Sequence, residues 1–148
     1  MADAIPSIRV QAEPLDAAAL ARLLTDPRAG ALVVFEGRAR DHHEGRPVLK
    51  LSYEAYAPMA EKELERLRQQ AFERFGILGC AVHHRIGEVP LTEAAVLVAT
   101  ASAHRAEAFQ AAAWVMDEIK ARVTIWKRET YQDGSEAWVE CQHRHTRI

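Results

Sequence analysis

The chain has 148 residues, 49% of them apolar and 27% charged, with a formal net charge of −2. That length fits one domain built on one core, and the composition is that of an ordinary soluble globular protein. The slight acidic excess speaks against broad nucleic-acid or membrane binding, which relies on a basic balance, but leaves room for a local basic pocket. No apolar run approaches the ~20 residues of a membrane span. Residues 1–10 carry Asp3 and Pro6 where a secretory leader would be basic and then apolar, so a cytoplasmic location is expected. Cys80 and Cys141 are too few for a disulfide framework and suit a reducing compartment.

Residues 16–24 read as a short helix ended by Asp26-Pro27. Residues 31–35 form an apolar run of strand length that continues into Glu36-Gly37-Arg38-Ala39-Arg40, where the chemistry turns basic. A polar loop over 41–47 leads to alternating residues 48–56, a second strand. Pro58 suits the first turn of a helix. Ala60, Leu64, Leu67, Ala71 and Phe75 then recur at helical spacing until Gly76 ends the element. Strands are expected over 80–86 and 94–100, a long helix over about 105–121, and two last strands over 123–129 and 137–141 joined at Asp133-Gly134. Adjacent strand pairs in this order imply antiparallel pairing, hence an α+β class.

Basic residues stand where the pattern does not demand them. On a wheel of about 100° per residue, Phe109, Ala112, Ala113 and Met116 share one face of the last helix, read as the inward one, with Ala108 and Ile119 on its flank. Lys120 falls within that arc and Arg105 near it. An inward lysine costs desolvation unless it meets a partner or ligand, and burial would lower its pKa. Taken alone, the commoner outcome is a lysine at the helix end that reaches water or favours the dipole. On the following strand, Lys127 and Glu129 point one way and Trp126 and Arg128 the other. In isolation that pair reads as a weak surface salt bridge. His104-Arg105 at a helix start fits either a phosphate site or a plain solvated arginine. Arg38 and Arg40 project to one face, where they need an anion or carboxylates between them. Taken together, these signals describe a compact pocket for a small anionic substrate.

In this order the residues resemble the molybdopterin synthase large-subunit family. The resemblance spans about residues 30–140. Its pieces are Phe35-Glu36-Gly37-Arg38-Ala39-Arg40, Leu51-Ser52-Tyr53-Glu54-Ala55-Tyr56 with Met59-Ala60, and His84-Arg85-Ile86-Gly87-Glu88. Next come Ser102-Ala103-His104-Arg105 with Ala108-Phe109, and Met116-Asp117 with Lys120. Trp126-Lys127-Arg128-Glu129 and Trp138-Val139-Glu140 complete the set. The family's fold is an α/β hammerhead with an additional antiparallel β subdomain. Its reaction adds two sulfurs to cyclic pyranopterin monophosphate, making the dithiolene of molybdopterin for the molybdenum cofactor. The sulfur arrives on a small ubiquitin-like subunit ending in a Gly-Gly thiocarboxylate, and two large subunits form a homodimer within a heterotetramer. The resemblance implies Lys120 and Lys127 as catalytic lysines. It implies Arg40, His104 and Arg105 at the substrate phosphate with Arg38 and Ala39 beside them, and Arg128 and Glu129 lining or orienting the site. It implies no metal or redox cofactor, no nucleic acid and no membrane. Two departures stand out: the 88–93 turn lacks a glycine, and the tail places Cys141-Gln142 ahead of Arg144, which puts a C-terminal phosphate contact in question.

Arg105 and Lys120 lie about 15 residues apart on one helix, roughly 22 Å at ~1.5 Å per residue, too far for one small pterin to bridge. Pairing two such helices antiparallel across a two-fold axis would bring Arg105 of one copy towards Lys120 of the other, a composite site. Three other readings compete. Nucleic-acid binding through Trp126-Lys127-Arg128 fits poorly with an acidic net charge and no basic stripe. Cys80 and His83 resemble half a zinc site, with His84, Cys141, His143 and His145 as further donors, but Cys80 and His83 face opposite sides of a strand. A non-enzymatic module that holds a phosphorylated pterin or a ubiquitin-like tail would use the same pocket, yet would need only its arginines.

Overall fold

The structure, a computed structural model, describes residues 5–140, with the side chain of residue 140 left aside. The elements run β1 (Ile8–Gln11), α1 (Ala17–Leu23), β2 (Ala31–Arg38), β3 (His42–His43), β4 (Arg46–Glu54), α2 (Ala57–Phe75), β5 (Gly79–Arg85), β6 (Gly87–Val89), β7 (Ala94–Ser102), α3 (Arg105–Arg122), β8 (Trp126–Tyr131) and β9 (Glu136–Glu140). No helix among the described residues is long and apolar enough to cross a membrane.

One sheet has the order β1-β5-β7-β2; β1 joins β5 in parallel and the other pairs are antiparallel. Its central strands show no polar alternation because both faces are covered. Cys80, Val82, Val96 and Val98 turn towards α2 and α3, while Ala81, Leu97 and Ala99 turn towards Leu20 of α1. Capping explains where the helices begin and end. Asp16 accepts a hydrogen bond from Ala19 N at 3.1 Å, and Gly76 closes α2 in the left-handed conformation at φ 62°, which glycine adopts without a Cβ penalty. The second sheet is antiparallel, in the order β3-β4-β8-β9 with β6 on the free part of β4. Val48, Leu51, Val89 and Tyr131 form its core with Ala39 and Ala95. The α+β class with an additional antiparallel sheet agrees with the sequence reading.

Three short strands escape a periodicity argument: β1, the two-residue β3 and the three-residue β6. The last helix is also turned differently from the wheel reading. Its buried residues are Ala108, Ala111, Ala112, Val115 and Ile119, whereas Phe109 is 60% exposed and Ala113 and Lys120 face solvent. Small alanines let α3 lie close on β7 and α2, so the face with the least bulk is the one that packs. Lys120 is therefore not the inward, desolvated lysine that the wheel suggested. Residues 123–125 form a connector rather than the start of a strand: Val123 N bonds Ile119 O, Thr124 N donates to Glu63 Oε1 at 2.9 Å, and Ile125 is buried. Strand β8 consequently begins later than expected.

Candidate active site

A cleft of about 380 Å³ opens where the end of β2, the last turn of α3 and the second sheet meet. Arg38 and Arg40 enter it from the end of β2, Lys120 from α3, and Lys127 and Glu129 from β8. Phe35, Met116 and Ile125 supply apolar wall. The entry of the arginines depends on Gly37. A Cβ there would stand 2.7 Å from Val96 Cγ1, so only glycine lets β2 approach β7 this closely, and the register shifts at Gly37/Arg38. The backbone of Ala39 is then clamped to the neighbouring turn: its N–H donates to Glu93 O at 3.0 Å and its carbonyl accepts from Thr92 N at 2.7 Å. Ala39 itself is buried in the second core and does not line the cleft; it serves to fix its two neighbours.

The Lys127–Glu129 pair is present, but it is not the weak surface bridge the spacing alone suggested. Lys127 Nζ lies 3.5 Å from Glu129 Oε2, and the Glu129 side chain is only 2% exposed. Tyr131 donates its hydroxyl proton to Glu129 Oε1 at 2.5 Å, and His43 Nδ1 stands 3.8 Å from Oε2. The bond to Glu129 pushes the Tyr131 phenol pKa up, so the phenol stays a donor. A buried carboxylate held this way is a fixed negative anchor that sets the position of the Lys127 ammonium beside the cleft. The register gives the same result from the backbone: Tyr53 opposes Lys127 and Leu51 opposes Glu129, so both side chains share the inner face of the sheet.

Lys120 is exposed and at the same time lines the cleft, so it stands at the rim. The structure does not bring His104, Arg105 or Arg128 to this cleft. His104 caps α3 and Arg105 opens it, both exposed, at the far end from Lys120. Arg128 projects from the opposite face of β8, pairs with Glu136 at 3.6 Å and lies 5.4 Å over the Trp138 ring. His42, His43, Tyr53 and His84 also line the cleft; the sequence offers His84 only as a candidate zinc donor and does not mark the other three as site residues. The two-residue strand that carries His43 leaves no periodic signal. His84 was detectable as a histidine on the apolar row Cys80-Val82-His84.

The half-site reading of Cys80 and His83 loses its geometry. Cys80 is packed in the core, where burial pushes its thiol pKa up to about 12, and His83 Nε2 donates to Pro6 O at 2.8 Å. Among the described residues no group of three or more His, Cys, Asp or Glu could hold a metal. Cys141, His143, Arg144 and His145 lie outside the described residues.

The model of the MoaE protein family matches residues 10–122. The chain belongs to this family. A relative from Pyrococcus abyssi, a molybdopterin synthase catalytic subunit, is 48% identical over 118 residues, which cover 80% of this chain and 79% of the relative. The crystal structure of molybdopterin synthase from Staphylococcus aureus superposes with a TM-score of 0.86 at 33% identity, covering 91% of this chain and 98% of that one. A complex of subunits 1 and 2 of molybdopterin-converting factor from Helicobacter pylori shares the fold, with a TM-score of 0.73 at 18% identity and 91% of each chain covered. MoaE membership makes the chain a catalytic subunit in molybdenum cofactor biosynthesis.

Proposed function

We propose that this cleft transfers sulfur from the thiocarboxylated Gly-Gly tail of a small ubiquitin-like subunit to cyclic pyranopterin monophosphate, forming the dithiolene of molybdopterin in the cytoplasm. The observation that carries this reading is the convergence of Lys120 and Lys127, from different elements, on one cleft with Arg38 and Arg40. A pocket that only held an anion would need the arginines alone. The four cations would draw in and align the thiocarboxylate and the substrate phosphate, both anionic, and offset charge that builds up during transfer. Lys120 at the rim is positioned for the incoming tail. Lys127, anchored by Glu129, is positioned for acid/base work or for stabilising negative charge next to the pterin side chain.

His104 and Arg105 complete the phosphate site from a second copy of the chain in this reading, with Arg128 as a peripheral contributor on the outer face. Support comes from exposed apolar bulk along the flank that a second copy would cover: Phe35 on the edge strand β2 is 41% exposed and Phe109 on α3 60%. In this reading the chain works as a homodimer within a heterotetramer with the small subunit; the Helicobacter pylori neighbour is itself a complex of two subunits. Reconstitution tests the whole scheme. The purified chain, a thiocarboxylated small subunit and cyclic pyranopterin monophosphate should yield the dithiolene product. Lys120→Ala and Lys127→Ala should each lower the rate by about 10²–10⁴-fold. No product from wild type in a verified complex with active carrier would leave a binding module in place of the enzyme.

A further inference from the structure

His84 ends a row of inward residues on β5. Cys80 and Val82 precede it on the same face, packed in the main core, and His84 pairs across to Val96 of β7 where that core gives way to the cleft. The side chain is only 5% exposed. Its ring is held from two directions. Nδ1 lies 2.8 Å from Arg85 O, and the Tyr53 ring meets it edge-on at 5.2 Å and 73°. A carbonyl can only accept, so Nδ1 carries the proton and Nε2 presents a lone pair. Burial reinforces this neutral form by holding the imidazole pKa down at about 4.

Among the described residues, no hydrogen bond occupies Nε2, and it is not one of the polar atoms sealed from solvent without a partner. Apart from His42, His43 and Tyr53, the polar lining has the opposite character. Arg38, Arg40, Lys120 and Lys127 offer donors only, and the Glu129 carboxylate is already engaged by Tyr131 and Lys127. An open acceptor at the floor beneath a cationic rim selects a ligand with two ends, an anionic one and one bearing a hydrogen-bond donor.

We infer that His84 Nε2 accepts a hydrogen bond from an N–H or O–H group of the molecule bound in the cleft, making His84 a ligand-orienting residue of the sulfur-transfer site. The inference rests on the reading given above, in which two molecules offer such a donor: a glycine amide of the Gly-Gly tail and an N–H of the pterin. Either contact would set the depth of its owner in the cleft, so that the anionic end meets the lysines. A donor that lost this acceptor would be left unpaired in a half-buried site, so the contact discriminates among ligands as well as adding affinity.

Nitrogen NMR on the chain carrying ¹⁵N-histidine tests it. The two probes are the small subunit ending in an unreactive Gly-Gly carboxylate and cyclic pyranopterin monophosphate, added separately, with binding followed by calorimetry. The Nε2 resonance of His84 should move upfield with one probe, and that probe identifies the donor. His84→Phe, which keeps a ring against Tyr53, should bind the same probe about tenfold more weakly or worse. His84→Gln, which restores an acceptor oxygen, should recover part of that loss. A wild-type Nε2 signal that stays in place while both probes bind overturns the inference and leaves the sulfur-transfer reading standing, as does full affinity in a folded His84→Phe. Failure of wild type to bind either probe overturns both.

Discussion

Acidification should destabilise this protein through His84, by an amount that follows from the structure. The folded imidazole has a pKa of about 4 because burial disfavours its charged form, against an ordinary value of 6.5. Between those values the unfolded chain binds the proton and the folded one does not, so stability rises with pH across that window. The contribution is complete above about pH 6.5 and is lost as pH falls towards 4, reaching about 3 kcal/mol in full. Between pH 7 and pH 5 the loss is about 2 kcal/mol, a visible part of the ~5–15 kcal/mol that holds a domain of this size together. Denaturant unfolding at a series of pH values, for wild type and His84→Phe, isolates the effect. Phenylalanine leaves the Arg85 carbonyl without its donor and lowers stability by about 1–3 kcal/mol at every pH, so the slope is the diagnostic quantity. His83, whose pKa burial also lowers, contributes equally to both proteins. Parallel curves for the two proteins between pH 7 and pH 4.5 would refute the reasoning.

Glu129→Ala removes the anchor shared by Lys127 and Tyr131 and should cost about 3 kcal/mol in chemical denaturation along with most of the product-forming activity. Glu129→Gln keeps an acceptor for the Tyr131 hydroxyl and should restore much of the stability but little of the rate; equal rates for Gln and wild type would show that the carboxylate charge is not needed. Gly37→Ala should destabilise by about 1–3 kcal/mol, because the new methyl meets Val96 Cγ1 and must push β2 off β7, and it should lower activity by displacing Arg38 and Arg40. Its unfolding midpoint and turnover should fall together. Mixing Arg105→Ala with Lys120→Ala subunits in equal amounts should recover about a quarter of wild-type activity if the site is shared across a two-fold axis, since half of the dimers then hold one intact site. Activity no higher than that of either variant alone would exclude the shared site.

Much of the architecture was legible in the sequence because burial writes its period into the chain. The row Ala60, Leu64, Leu67 and Ala71 is both the helical pattern and the packed face of α2. The apolar run ended by Arg38 is both a strand and the route into the cleft, although it lies at the sheet edge with Leu32 and Phe35 exposed. Strands β3 and β6 carried no such record, since elements of two and three residues pair through their backbone and need no particular side chains. His43 was lost with β3 for that reason. The face of α3 was misjudged because a wheel weighs bulk, while this helix packs through alanines and leaves Phe109 outside. Lys120 thereby changed from a buried lysine to a rim lysine without leaving the site.

The pairing of Lys127 with Glu129 shows how spacing alone can identify partners and still misjudge their strength. Two residues apart on a strand, they share a face whatever the fold; whether the bridge is weak or strong depends on the dielectric around it. Here that is decided largely by chain segments remote in sequence: Leu51 stands opposite Glu129, and Val89 pairs with Leu51 on its other side. Tyr131, next on the same face of the strand, supplies the hydroxyl that makes a buried carboxylate tolerable. None of these contacts can be read from residues 127–129 themselves. The same holds for the basic cluster as a whole: Arg38 and Arg40 come from the end of β2, Lys120 from α3 and Lys127 from β8, and the two arginines enter just after Gly37, where a Cβ would run into Val96 Cγ1.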